Sequence, residues 1–182
     1  SYAEPFVHYM QIEFQQAIEQ HRQRVVTLAR YSLRSAADAE DIAQEVFVKL
    51  WRHWPSVEAD KRLAWLMRVT HNAVIDLVRR RKTKNAQLDE AVDIEVLPDS
   101  DSQSASWEND QLRQELSEAI SKLDDPFRSI LVMRDIQGLS YADIEAALEM
   151  NTSQVKVYLH RARRKLRDNP QLRQQFEALS DE

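Results

Sequence analysis

Residues 139–167 read LSYADIEAALEMNTSQVKVYLHRARRKLR, which predicts two short amphipathic helices on either side of a tight break. Ser140, with Asp143 three residues on, opens the first helix as a capping box, running to about Glu149. After a break at Met150–Asn151 the second runs from Thr152 to about Arg167. Ile144, Ala147, Leu148, Val155 and Leu159 fall where two such helices share an apolar seam, the arrangement of a helix-turn-helix. The second helix carries Lys156, Arg161, Arg163, Arg164, Lys165 and Arg167 with no acidic residue among them. That charge suits the major groove of DNA, with the N-terminal half against base edges and the basic end on phosphates. A solvated basic helix closing a small bundle would carry the same charges. The cap, the break and the seam together favour DNA.

Working back along the chain, Gly138 stands where a left-handed residue would end the preceding helix, and it is the only glycine in 182 residues. Asp125-Pro126 supplies a cap and first-turn proline for that helix, expected through Asp135. Another helix is expected over 109–122. The segment 85–108 loses helical periodicity and ends in PDSDSQSAS, so it reads as a linker. Before it lies RLAWLMRVTHNAVIDLVRRRKTK at 62–84, a helix ending in a basic run. Trp65, Arg68, His71 and Asn72 on it suit opened nucleic acid, whose bases can stack and be read on their edges. For Trp65 alone a core position is the better reading. Residues 38–54, DAEDIAQEVFVKLWRHW, form an amphipathic helix with Asp38 as the expected N-cap. Its acidic face beside Phe47 and Trp51 would serve for docking a protein, although by physics alone an ordinary amphipathic core helix is the better reading. Apolar residues at helical spacing predict a further helix over 11–32. The fold class expected is all-α, with two small helical domains at 1–84 and 109–182 and an acidic linker at 85–108.

The net charge of −5 speaks against nucleic acid only until it is divided along the chain. Residues 1–84 carry net +4, residues 85–110 net −8, and residues 111–182 net −1. Cysteine is absent, which excludes disulfides, thiolate metal sites and cysteine nucleophiles. The five histidines have no metal-ligand spacing and no serine sits in a nucleophile elbow, so an enzyme and a cofactor are not expected. No signal sequence or membrane span is read, and a cytoplasmic location without membrane insertion is expected.

DAEDIAQEVFVKLW, AWLMRVTHNAVIDLVRRR, the acidic linker and GLSYADIEAALEMNTSQVKVYLHRARRKLR, in that order and spacing, resemble a bacterial sigma factor of the extracytoplasmic-function group over roughly residues 10–168. The resemblance implies a non-catalytic subunit with sigma domains 2 and 4. It would bind core RNA polymerase, recognise minus-10 and minus-35 promoter elements, help melt DNA, and be held by an anti-sigma factor. Asp38, Asp41, Gln44, Glu45 and Phe47 would dock on the polymerase clamp. Lys61, Trp65, Arg68, Asn72, Arg79 and Arg80 would meet minus-10 DNA, with a flipped base near Asn72 and the loop Val57–Lys61. Gln154, Lys156, Val157, His160, Arg161 and Arg164 would meet minus-35 DNA. The linker would thread toward the RNA channel. Two departures touch the base-reading end. The turn, where the family has a small residue such as glycine, reads Leu148-Glu149-Met150-Asn151. The second helix opens Ser153-Gln154-Val155-Lys156-Val157 instead of Gly-Thr-Val-Lys-Ser. Neither departure breaks helical geometry, and Asn151 can tolerate a left-handed turn. The other function weighed is a stand-alone helix-turn-helix regulator, which leaves the N-terminal motifs unexplained.

Overall fold

The computed structural model describes residues 3–88 and 107–174, and among these there is no strand. Three helices make the first half: α1 (Ala3–Leu33), α2 (Ala36–Arg52) and α3 (Arg62–Leu88). α1 starts well before the expected residue 11. Ser35, not Asp38, caps α2: its side chain accepts the Asp38 backbone N–H at 3.2 Å. Asp38 instead sits in the first turn, where a carboxylate meets the positive end of the helix dipole. Pro55 stops α2 as expected, within a 3-10 turn at Trp54–Ser56, and a second such turn at Ala59–Lys61 leads into α3. Both α1 and α2 pack on α3, burying Val25, Leu28, Val46, Leu50, Leu66 and Met67.

α3 continues through residues 85–88 and α4 (Trp107–Ser121) starts at 107, so helix reaches into both ends of the segment expected to be linker. Its middle, 89–106, lies outside the described residues. The second half adds α5 (Phe127–Leu131), α6 (Tyr141–Leu148) and α7 (Thr152–Arg167). α5 does not have Asp125 as its cap. Pro126 occupies that position, after a cis Asp125–Pro126 bond, and Asp125 bonds the side chains of Arg128 and Ser129 instead. The helix then widens into a π turn at Val132–Ile136, where the Gln137 N–H reaches back to the Val132 carbonyl at 2.9 Å. Gly138 ends it with φ 68°, as the sequence led one to expect.

Ser140 caps α6 by accepting the Asp143 N–H at 3.1 Å. Asn151 caps α7 through a reciprocal box with Gln154, worth about 1 kcal/mol. Asn151 is extended, not left-handed. The left-handed residue between α6 and α7 is Glu149, φ 55° and ψ 47°. A side chain there costs about 1 kcal/mol or more relative to glycine. Arg34, φ 53°, is the other non-glycine residue with positive φ among those described.

The two halves touch. α6 packs along α3, and α4 and α5 meet α1. Their buried residues form one contiguous apolar cluster. No helix among the described residues is long and apolar enough to cross a membrane.

Candidate nucleic-acid interface

At about 100° per residue, Gln154, Lys156, Val157, His160, Arg161 and Arg164 fall on one arc of α7 spanning about 160°. All six are exposed. Val155, Leu159 and Ala162 occupy the opposite arc and are buried. The helix is therefore a basic ridge standing on an apolar keel. Arg163, at the edge of the ridge, forks onto Asp135 with bonds of 2.8 and 2.6 Å and ties α7 to the π turn. Lys156 lies 6.0 Å from the Tyr141 ring, whose face also carries the Arg134 guanidinium at 4.4 Å.

On α3, Trp65, Arg68, Asn72 and Arg79 fall within a stripe of about 60°, and Arg80 lies about 100° round from Arg79. Asn72, Arg79 and Arg80 are exposed, while Trp65 is half-buried with its ring 5.9 Å from that of His53. Lys61 is exposed and pairs with Glu58 at 3.3 Å. Arg79 pairs with Asp76 at 2.7 Å. Arg68 is engaged across the molecule, 3.4 Å from Glu149 at the end of α6.

On α2, Asp41, Gln44 and Glu45 are exposed, and Phe47 is buried. Asp38 pairs with Arg81 of α3 at 2.9 Å, which holds its carboxyl below the usual range. Gln44, Phe47, Val48 and Trp51 form one wall of a groove of about 640 Å³, and α1 supplies the other through Phe14 and Ile18. Phe14 meets Trp51 edge-on at 4.9 Å. The predicted docking residues thus divide into an acidic ridge, at Asp38, Asp41 and Glu45, and the wall of the groove, at Gln44 and Phe47.

The sequence did not point to the polar contacts between the halves. His71 of α3 meets the Ser129 hydroxyl of α5 at 2.7 Å, and that hydroxyl donates to Asp125 at 2.8 Å. A hydroxyl has one proton, so His71 must donate through Nδ1. Gln137 donates to the Arg24 carbonyl at 2.8 Å, and Arg34 lies 3.9 Å from Glu118 of α4. Their partners are about 60 to 110 residues apart, which no local pattern registers. Positive φ at Arg34 and Glu149 had no signal either, since neither is a residue type that favours it.

Burial pushes the His71 imidazole below its ordinary pKa, with Asp125 opposing and Arg128 reinforcing; burial acts likewise on His21. The unfolded chain therefore takes up protons near pH 6.5 that the folded chain refuses, so stability is full above that pH and declines as pH falls through it. Thermal unfolding should shift to lower temperature between pH 7.5 and 5.5, and less so in His71→Asn. Equal shifts in both proteins would deny His71 this part.

Two family models match the chain: sigma-70 region 2 over residues 17–84 and sigma-70 region 4 over residues 113–166. The extracytoplasmic-function RNA polymerase sigma factor SigE of Mycolicibacterium smegmatis is 34% identical over 83% of this chain, which spans only 59% of that relative. The RNA polymerase sigma-E factor of Streptomyces avermitilis is 33% identical, over 86% of this chain and 84% of its own length. The fold is similar to that of the sigma factor RpoE, solved with the anti-sigma factor NepR from Bartonella quintana. That match has a TM-score of 0.68 at 22% identity, covering 86% of this chain and 95% of that one. With both regions matched in order over most of its length, the chain belongs to the sigma-70 family of RNA polymerase sigma factors, in its extracytoplasmic-function group.

Proposed function

We propose that the chain binds core RNA polymerase and directs it to promoters, reading the minus-35 element through α7 and the minus-10 element through the α3 stripe. The observation that carries this is the exposed arc of α7, six residues wide on a capped and buried keel. An arc of that width matches what a helix presents to a major groove. The α3 stripe adds an aromatic, an amide and cations in one line, the set that holds unstacked bases and their phosphates. The α1–α2 groove with its acidic ridge docks the polymerase. The subunit works in the cytoplasm as a non-catalytic initiation factor. An anti-sigma factor restrains it, as the Bartonella relative is held by NepR. A stand-alone regulator would leave the groove and the stripe without a use.

The test is a reconstituted holoenzyme on promoter DNA selected by that holoenzyme. Arg161→Ala should weaken promoter binding by about 1–3 kcal/mol if Arg161 meets a base edge. In the same assay Asp41→Ala with Gln44→Ala should lower the fraction of chain that co-elutes with core enzyme. Undiminished promoter affinity removes Arg161 from the reading helix, and undiminished co-elution removes α2 from the docking surface.

A further inference from the structure

The two non-glycine residues with positive φ among those described, Arg34 and Glu149, stand at the ends of helices, one in each half of the chain. Each extends a charge to the other half: Arg34 lies 3.9 Å from Glu118, and Glu149 lies 3.4 Å from Arg68. Left-handed backbone is unfavourable for both side chains, and glycine would relieve it. The penalty is borne at two places where a charged side chain reaches across the boundary. Nothing local at Glu149 accounts for its presence: its side chain is 76% exposed and caps nothing in α6 or α7. Asn151 and Gln154 perform the capping there.

We propose that Glu149 is an interdomain latch, its carboxylate occupying on Arg68 the place of a DNA phosphate while the chain is free. This rests on the assignment of Arg68 to the minus-10 face. Glu149 sets a negative charge 3.4 Å from Arg68 Nη1, against which an incoming phosphate must compete. α7 takes no part in the masking, since its six-residue arc is bare in the closed chain. The latch therefore engages one cation of one DNA-reading face and leaves the other face open. Glu149 does not close the molecule alone. The α3–α6 packing, the His71–Ser129 bond and the Gln137 bond to Arg24 hold the halves together, and the ion pair sets how readily Arg68 is released.

The experiment measures binding of the free 182-residue chain to a fluorescent single-stranded DNA of random sequence, about 12 nucleotides long, at low salt, where phosphate contacts dominate. Glu149→Gln keeps the backbone penalty and removes the charge. Glu149→Gly removes both. Each should bind about two- to fivefold tighter than the parent, the range of an exposed ion pair. Removing any surface carboxylate favours DNA slightly, so the same Glu149→Gln change is made in an Arg68→Ala background, where it should have no effect. No gain in the parent, or an equal gain in the Arg68→Ala background, overturns the latch. The minus-10 assignment is checked apart from this, by promoter binding of holoenzyme carrying Arg68→Ala. Should that be unchanged, amide hydrogen exchange over residues 139–150 tests the pair alone. Faster exchange in Glu149→Gln supports it, and identical rates overturn it.

Discussion

Arg128→Ala should lower the stability of the chain by about 3–5 kcal/mol, the usual result of removing one partner from a buried ion pair. Arg128 is 9% exposed and closes the turn between α4 and α5. Its Nη1 donates to the carbonyls of Ser121 at 3.2 Å and Leu123 at 3.3 Å, and its Nη2 donates to Asp125 at 2.5 Å. Alanine would strand two carbonyls and leave the Asp125 carboxylate with the Ser129 hydroxyl as its remaining side-chain donor among these contacts. Because Ser129 also meets His71, the damage reaches the boundary between the halves. Urea unfolding monitored by helical circular dichroism gives the magnitude. Arg128→Lys restores charge without the planar fork and should recover only part of the loss. A midpoint unchanged in Arg128→Ala would mean that the turn holds itself.

Leu159→Ala should cost about 2–5 kcal/mol. Leu159 is 2% exposed, midway along the keel of α7 between Val155 and Ala162. Truncation leaves a cavity directly under the six-residue arc, so the proposed minus-35 binding should fall with stability although no atom of the exposed arc is altered. His160→Ala, one residue on, faces solvent and should leave the unfolding midpoint within about 0.5 kcal/mol. If both substitutions destabilise equally, α7 is not oriented as described. If Leu159→Ala lowers stability without weakening promoter DNA, the ridge does not depend on its keel.

Much of the architecture is legible in the sequence because local chemistry settles it. Ser140 and Gly138 announce the start of α6 and the end of the helix before it, and both behave as their side chains or their lack of one require. The period of apolar residues in 152–167 places keel and ridge correctly. Errors arose where two residues compete for one task. Ser35 and Asp38 are both capping types, and Ser35 wins because its side chain reaches the Asp38 N–H, three positions on. Asp125 can cap or can pair, and the buried guanidinium of Arg128 claims it. Asn151 tolerates a left-handed turn, yet it caps α7 and leaves that conformation to Glu149. The candidate DNA-contacting residues are readable as faces, because helical spacing groups Trp65, Arg68, Asn72 and Arg79. What occupies a face is not readable that way. The partner of Arg68 lies 81 residues further on.

The length of α3 has an evolutionary consequence. From Trp65 to Arg79 is four turns of uninterrupted helix, about 21 Å at 1.5 Å per residue. One inserted or deleted residue between them would rotate everything beyond it by about 100°, carrying Arg79 off the stripe and turning Val74 and Leu77 out of the apolar cluster. Changes of three or four residues, close to a whole turn, would restore the phase but lengthen or shorten the span by about 5 Å. Point substitution is therefore the accessible route by which the exposed stripe of this helix changes. Changes of length are left to the acidic segment beyond it.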